Sequence, residues 1–291
     1  MQATPAIVDC HFHVIAPPER YPMLPERSYT PAPASLDDWR ATLGPLGVTH
    51  GVIVQPSFYG TDNRVLLAAL EAAREAQPEA EHEADAVGRC VGIAAVTAEV
   101  SDAELDRLAA AGVRGVRMAH FEAGDPRAMR GFVPLAGTFD TRLEARLAER
   151  GLHLQLFTDS RLLPGIAKRL QRSRIPVVID HMGRAPAALG ARHPGIEALV
   201  RLMSDGPVWV KLSGIANLSD AAPRYDDARA VHEALVCANP QRLVWGSDWP
   251  HTKPAGPRPA TAALLRLLQD WTPPEHHERI LKTNPTSLYR L

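Results

Sequence analysis

Cysteine is scarce: the chain holds three, Cys10, Cys90 and Cys237, far apart and never in a CxxC spacing. That argues against a disulfide framework or a cysteine zinc knot and leaves each thiol as a small apolar side chain. Long apolar runs are missing as well. No stretch reaches the ~20 residues of a membrane-spanning helix, and residues 1–30 lack a basic segment leading into an apolar core. A cytoplasmic protein is therefore expected. An excess of charge of either sign is absent too, with 32 Lys and Arg against 33 Asp and Glu, interspersed, for a net charge of −1. Neither a nucleic-acid footprint nor a polybasic membrane patch is indicated. No GxGxxG or GxxxxGK[ST] loop follows any apolar run, which argues against the common nucleotide-binding folds. There is no internal repeat and no long polar linker.

What is present fits one large α/β domain. At 291 residues and 45% hydrophobic, the chain has room for a full core. Apolar strand-like runs occur at residues 6–13, 51–55, 91–96, 115–118, 152–157, 175–180, 208–212 and 242–246. Each is followed by a helical or long-loop segment, at intervals of roughly 20–45 residues, as βα units require. Residues 14–34 are too rich in proline for a helix and form an ordered loop carrying Tyr21 and Tyr29. Ser35 with Asp38, and Ser101 with Glu104, have helix-capping spacing, and helices are expected over 63–76, 140–150 and 161–172. The acidic stretch 77–88 reads as a solvated connection, and Arg127 and Arg130 as solvated rim residues of the loop 120–137. Near-continuous apolar strands imply a sheet covered by helices. The economical architecture is a (β/α)8 TIM barrel over residues 1–291, a doubly wound open sheet being the alternative.

In such a barrel all strand C-termini open onto one face. His11 and His13 would project together there, with Asp9 below them and Phe12 pointing away. His181 ends the sixth strand, with Asp180 turned outward as a hydrogen-bonding strut. Asp248 ends the eighth, inward with Val244 and Gly246 while Trp245 packs outward. A carboxylate among imidazoles suits removal of a proton from water and stabilisation of an oxyanion. The same His11, His13, His181 and Asp248 suit one divalent ion, zinc by preference. Around them Ser57, Tyr59, Asn63, Arg117, Arg184 and His251 are candidate substrate contacts. Lys211 is a candidate for a substrate carboxylate or a structural salt bridge.

Asp9-Cys10-His11-Phe12-His13, Val54-Gln55 through Gly60-Thr61-Asp62-Asn63, Ile179-Asp180-His181-Met182-Gly183-Arg184, Trp245 through His251, and Thr283-Asn284-Pro285 resemble the amidohydrolase superfamily. The likeness is to its branch containing 2-pyrone-4,6-dicarboxylate lactonase and runs nearly end to end. It implies a lactone hydrolase in which Asp248 activates water and His11, His13 and His181 polarise the carbonyl. The branch implies no required metal, although many superfamily members use one. Arg117 stands where the lactonase has a carboxylate-binding arginine. Ala123, Leu156 and Asn217 stand where it has arginine, tyrosine and arginine, which implies fewer contacts for a second carboxylate. No carboxylated-lysine signature follows the fourth strand, so a binuclear site is not expected. The expected partner is a small anionic lactone, such as a sugar lactone, a muconolactone derivative or a pyrone carboxylate. Neither nucleic acid nor membrane is expected, and the protein should be a monomer or small homo-oligomer. A metal-dependent decarboxylase on the same barrel and a lactone isomerase are the alternatives.

Overall fold

A computed structural model describes residues 7–76, 88–122, 130–252 and 258–291. Eight parallel strands neighbour one another in chain order. They are β1 (Ile7–Phe12), β2 (Val48–Val54), β3 (Cys90–Ala94), β4 (Val113–His120), β5 (His153–Thr158), β6 (Val177–Ile179), β7 (Val208–Leu212) and β8 (Leu243–Trp245). The helices are α1 (Leu36–Leu43), α2 (Arg64–Glu75), α3 (Asp102–Ala110), α4 (Thr141–Glu149), α5 (Leu163–Gln171), α6 (Pro194–Asp205), α7 (Arg229–Ala238), α8 (Thr261–Trp271) and α9 (Asn284–Tyr289). The expected TIM barrel is the architecture found. The acidic connection 77–88, apart from Gly88, lies outside the described residues, as do Ala123 and Arg127. No helix among the described residues is long and apolar enough to cross a membrane.

Local chemistry accounts for the helix starts. Ser35 and Asp38 form the expected capping box on α1, and Ser101 and Asp140 each accept a backbone N–H at the first turn of α3 and α4. The strands bury both faces. Ile7, Leu154, Leu156, Val177, Ile179 and Trp245 meet the helices, while Val8, Cys10, Val52, Val54, Val91, Val178 and Val244 fill the interior with Tyr289. Val244 inside and Trp245 outside match the alternation expected of β8.

Two expected orientations are overturned. The register of β1 against β2 shifts between Asp9 and Phe12, and this irregularity breaks the twofold alternation. Asp9 turns toward α1, where its carboxylate accepts from Trp39 Nε1 at 2.9 Å, Ser247 Oγ at 2.6 Å and Ser247 N at 2.8 Å. Phe12 points away as expected, stacked on Trp39 with ring centroids 4.3 Å apart. Asp180 faces the interior rather than the helices. Its neighbour Val178 lies in the inner cluster, so strict alternation carries Asp180 inward. His181 also reaches the interior face because the chain leaves β6 through positive φ at His181 and Met182.

Candidate active site

The seam between β8 and β1 builds the centre of the site. Asp248 N donates to His11 O at 2.8 Å and His13 N donates to Trp249 O at 2.9 Å, so the backbone sets Asp248 beside both histidines. Gly246 permits this approach, since a Cβ there would stand 2.6 Å from His11 Cβ and 2.9 Å from His11 N. Asp248, His251, His181 and Arg184 all adopt positive φ, a conformation uncommon for residues with a side chain and frequent at functional sites.

Three imidazoles converge on one carboxylate oxygen. Asp248 Oδ1 lies 3.7 Å from His11 Nε2 and 3.8 Å from both His13 Nε2 and His181 Nε2. Asn217 Nδ2 donates to the other oxygen at 3.3 Å. Burial raises the Asp248 carboxyl to about 7, with Arg117 opposing the rise, and burial takes His13 down to about 3. His11 and His181 are likewise lowered well below the ordinary imidazole value by burial. The His13 Nδ1 proton is assigned by its partner: Val54 O, at 2.7 Å, can only accept, which leaves the Nε2 lone pair facing Asp248.

Beneath this centre sits Asp180, wholly buried. Arg117 donates to its Oδ2 through Nε at 3.0 Å and Nη2 at 2.9 Å, and Gln155 Nε2 at 3.1 Å. His11 Nδ1 lies 3.3 Å and Lys211 Nζ 3.7 Å from its Oδ1. Burial alone would raise the Asp180 carboxyl, but Arg117, His11 and Lys211 override it and hold it well below its usual value. Lys211 Nζ also donates to Cys10 O at 2.8 Å and Gln155 Oε1 at 2.6 Å. Of its two expected roles, the geometry matches the structural salt bridge, because Lys211 is buried and does not line the cavity.

A cavity of about 310 Å³ opens above the imidazoles. His13, Ser57, Arg117, His181, Arg184, Asp248 and His251 line it, as expected of them. Tyr59 and Asn63 do not. Tyr59 OH accepts from Ala16 N at 3.1 Å, and Asn63 braces the end of β3 through Ala95 N and O, both at 2.9 Å. Both side chains brace loop backbone and stand off the cavity wall. Leu156 faces the helices, so β5 presents Phe157 to the cavity instead. The Arg117 and Arg184 guanidinium carbons stand 4.9 and 4.4 Å from the Phe157 ring centroid. Arg117 is not an open fork, because its Nε–Nη2 edge is taken by Asp180. Sequence reasoning did not name Tyr29, Asn217, Phe132 and Phe157 as wall residues. Two of them carried a signal: Tyr29, placed within a loop leaving β1, and Asn217, which stands where the resembled lactonase has an arginine.

The donor set fits a cation. Among the described residues, two groups have ligand atoms close enough to hold a metal ion, His11–His13–Asp248 and His11–Asp180–His181. The first fits better, since Asp180 is already compensated by Arg117 and Lys211. Fully buried His11 has its Nδ1 against the Asp180 carboxylate and no hydrogen-bond partner at Nε2 among the described residues, and that Nε2 and the Nε2 of His13 face the Asp248 carboxylate. Lone pairs facing a carboxylate call for a proton, a water or a metal cation between them.

Fold and site together define a barrel enzyme whose imidazole–carboxylate centre lies where the strand C-termini meet. The family model described as Amidohydrolase matches residues 8–291, and the chain belongs to that family. It is 32% identical to 4-sulfomuconolactone hydrolase of Hydrogenophaga intermedia, over 98% of this chain and 89% of that one. It is 30% identical to 2-pyrone-4,6-dicarboxylate hydrolase of Comamonas testosteroni, over 97% and 89%. A solved structure of a probable 2-pyrone-4,6-dicarboxylic acid hydrolase from Acinetobacter baumannii, with citric acid bound, superposes with a TM-score of 0.81. That match has 26% identity and covers 98% of this chain and 99% of the other.

Proposed function

We propose that this enzyme opens a small anionic lactone with water, Asp248 acting as the base. The observation that carries this reading is the meeting of three imidazole Nε2 atoms on Asp248 Oδ1, at the floor of a cavity walled by two arginines. Asn217 holds Oδ2 and leaves Oδ1 toward the reacting water. Water placed between Oδ1 and the His13 Nε2 lone pair gives one proton to Asp248 as its oxygen bonds to the lactone carbonyl carbon. The ring C–O bond then breaks, and the leaving oxygen takes that proton back from Asp248. His11 and His13, lone pairs outward, suit holding the water or a cation rather than polarising the carbonyl. His181 and Arg117 are the donors on the wall for the developing oxyanion.

A divalent ion, zinc by the preference of the donor set, would be held by His11, His13 and Asp248 and would supply positive charge that makes water a stronger acid. The relatives' names, a sulfonated and a dicarboxylated lactone, support an anionic substrate, and Arg184 and Arg117 supply the complementary charge.

The test is a panel of carboxylated and sulfonated lactones followed by loss of the ring in ¹⁸O-water, with and without chelator. One solvent oxygen per turnover is expected. Ring rearrangement without solvent oxygen would make the enzyme an isomerase, and loss of CO₂ restored by metal would make it a decarboxylase. Ring opening that survives chelation assigns the work to Asp248 without an ion.

A further inference from the structure

The three imidazoles differ in what stands behind them. His13 Nδ1 faces a carbonyl and His11 Nδ1 a carboxylate, both of which only accept. His181 Nδ1 faces a hydroxyl, Ser213 Oγ, at 2.9 Å. A hydroxyl both donates and accepts, so this pair alone leaves the imidazole proton undecided.

Two further observations decide it. Ser213 is buried, and its hydroxyl has no other hydrogen-bond partner among the described residues. If Nδ1 carried the proton, the serine hydrogen would have no acceptor. If Ser213 donates, every proton is used. At the other edge of the ring, Nε2 is 3.8 Å from Asp248 Oδ1, where an N–H is attracted and a lone pair repelled. The ring is also held in place from behind. Gly214, at φ +59°, passes so close that a Cβ would stand 2.5 Å from His181 Cγ.

We propose that Ser213 is a positioning residue: by giving its hydroxyl proton to His181 Nδ1, it keeps the His181 proton on Nε2, facing the cavity. His181 is then the one imidazole of the three that donates to the substrate carbonyl, while His11 and His13 accept. Identifying that acceptor as a lactone carbonyl rests on the hydrolytic reading above; the proton assignment does not.

Long-range ¹H–¹⁵N spectra of histidine-labelled enzyme, as isolated, test the assignment directly, with His181 identified by its loss in His181→Asn. The expected result is Nε2 protonated in the wild type. Ser213→Ala is expected to release that preference and lower kcat about 10–100-fold, with KM within about twofold. Ser213→Thr keeps the hydroxyl, and a small void of about 30 Å³ lined by Ser213, Leu212 and Trp245 leaves space for the added methyl. It is expected to restore both the spectrum and most of kcat. A wild-type His181 protonated on Nδ1 overturns the proposal, even if the alanine variant does not fold. So does an alanine variant with wild-type kcat, or a threonine variant that restores neither. An Nε2-protonated His181 in an enzyme that opens no lactone leaves the Ser213 assignment standing and removes the hydrolytic reading.

Discussion

In the proposed mechanism Asp248 carries the heaviest burden of any side chain in the site. Asp248→Asn keeps size and shape but cannot accept the proton, and is expected to cut kcat by about 10²–10⁴-fold with an unchanged melting temperature. Because burial lifts the Asp248 carboxyl to about 7, the required anion is lost as pH falls through neutrality. Below that value kcat is expected to drop about tenfold per pH unit; a flat profile from pH 5 to 8 would count against Asp248 as the base. Arg117 behaves differently from a rim arginine. Removing it strands Asp180, so Arg117→Ala is expected to lose about 3–5 kcal/mol of stability as well as raise KM. Adding Asp180→Asn should return part of that stability, a coupling that urea titration of the single and double variants would measure. The arginine was legible from its place at the end of a strand. Its pairing was not, because its partner lies sixty-three positions away.

At the scale of strands and turns, apolar runs and capping pairs located the βα units, since burial on both faces leaves a continuous signal. Facing was harder to read. Twofold counting failed at Asp9, where the register against β2 shifts, and at His181, where positive φ brings two successive side chains to the same interior. Neither event has a composition of its own. Tyr59 and Asn63 misled for another reason, as polar residues in a rim loop that satisfy backbone groups instead of ligand. The approach of β8 to β1 is testable directly. Gly246→Ala puts a methyl against His11, including its backbone nitrogen. It is expected to lower the melting temperature and kcat together, whereas Gly112→Ala, at a positive φ but in open space, should lower stability alone.

For the whole molecule, buried polarity extends beyond the site. His153, on β5 in the barrel interior, and His232, on α7 beside Trp271, are buried and neutral, held down by burial to about 3 and about 4. Each folded value lies below the unfolded one, near 6.5, so the unfolded chain binds more protons as the medium acidifies. Their contribution is complete above about pH 6.5 and is lost progressively as pH falls toward 3–4, together several kcal/mol. Urea midpoints are expected to decline between pH 7 and pH 4, and less steeply in His232→Gln. An unchanged midpoint over that range would mean these imidazoles are solvated.

The two backbone hydrogen bonds that join the chain leaving the last strand to the first also aim the proposed base, Asp248, at its histidines. Wholeness of the cylinder and readiness for chemistry are thus one property, fastened at a single place. Damage there should never yield a sound but idle protein, and a chain that refolds to an open sheet should regain helices before it regains any turnover.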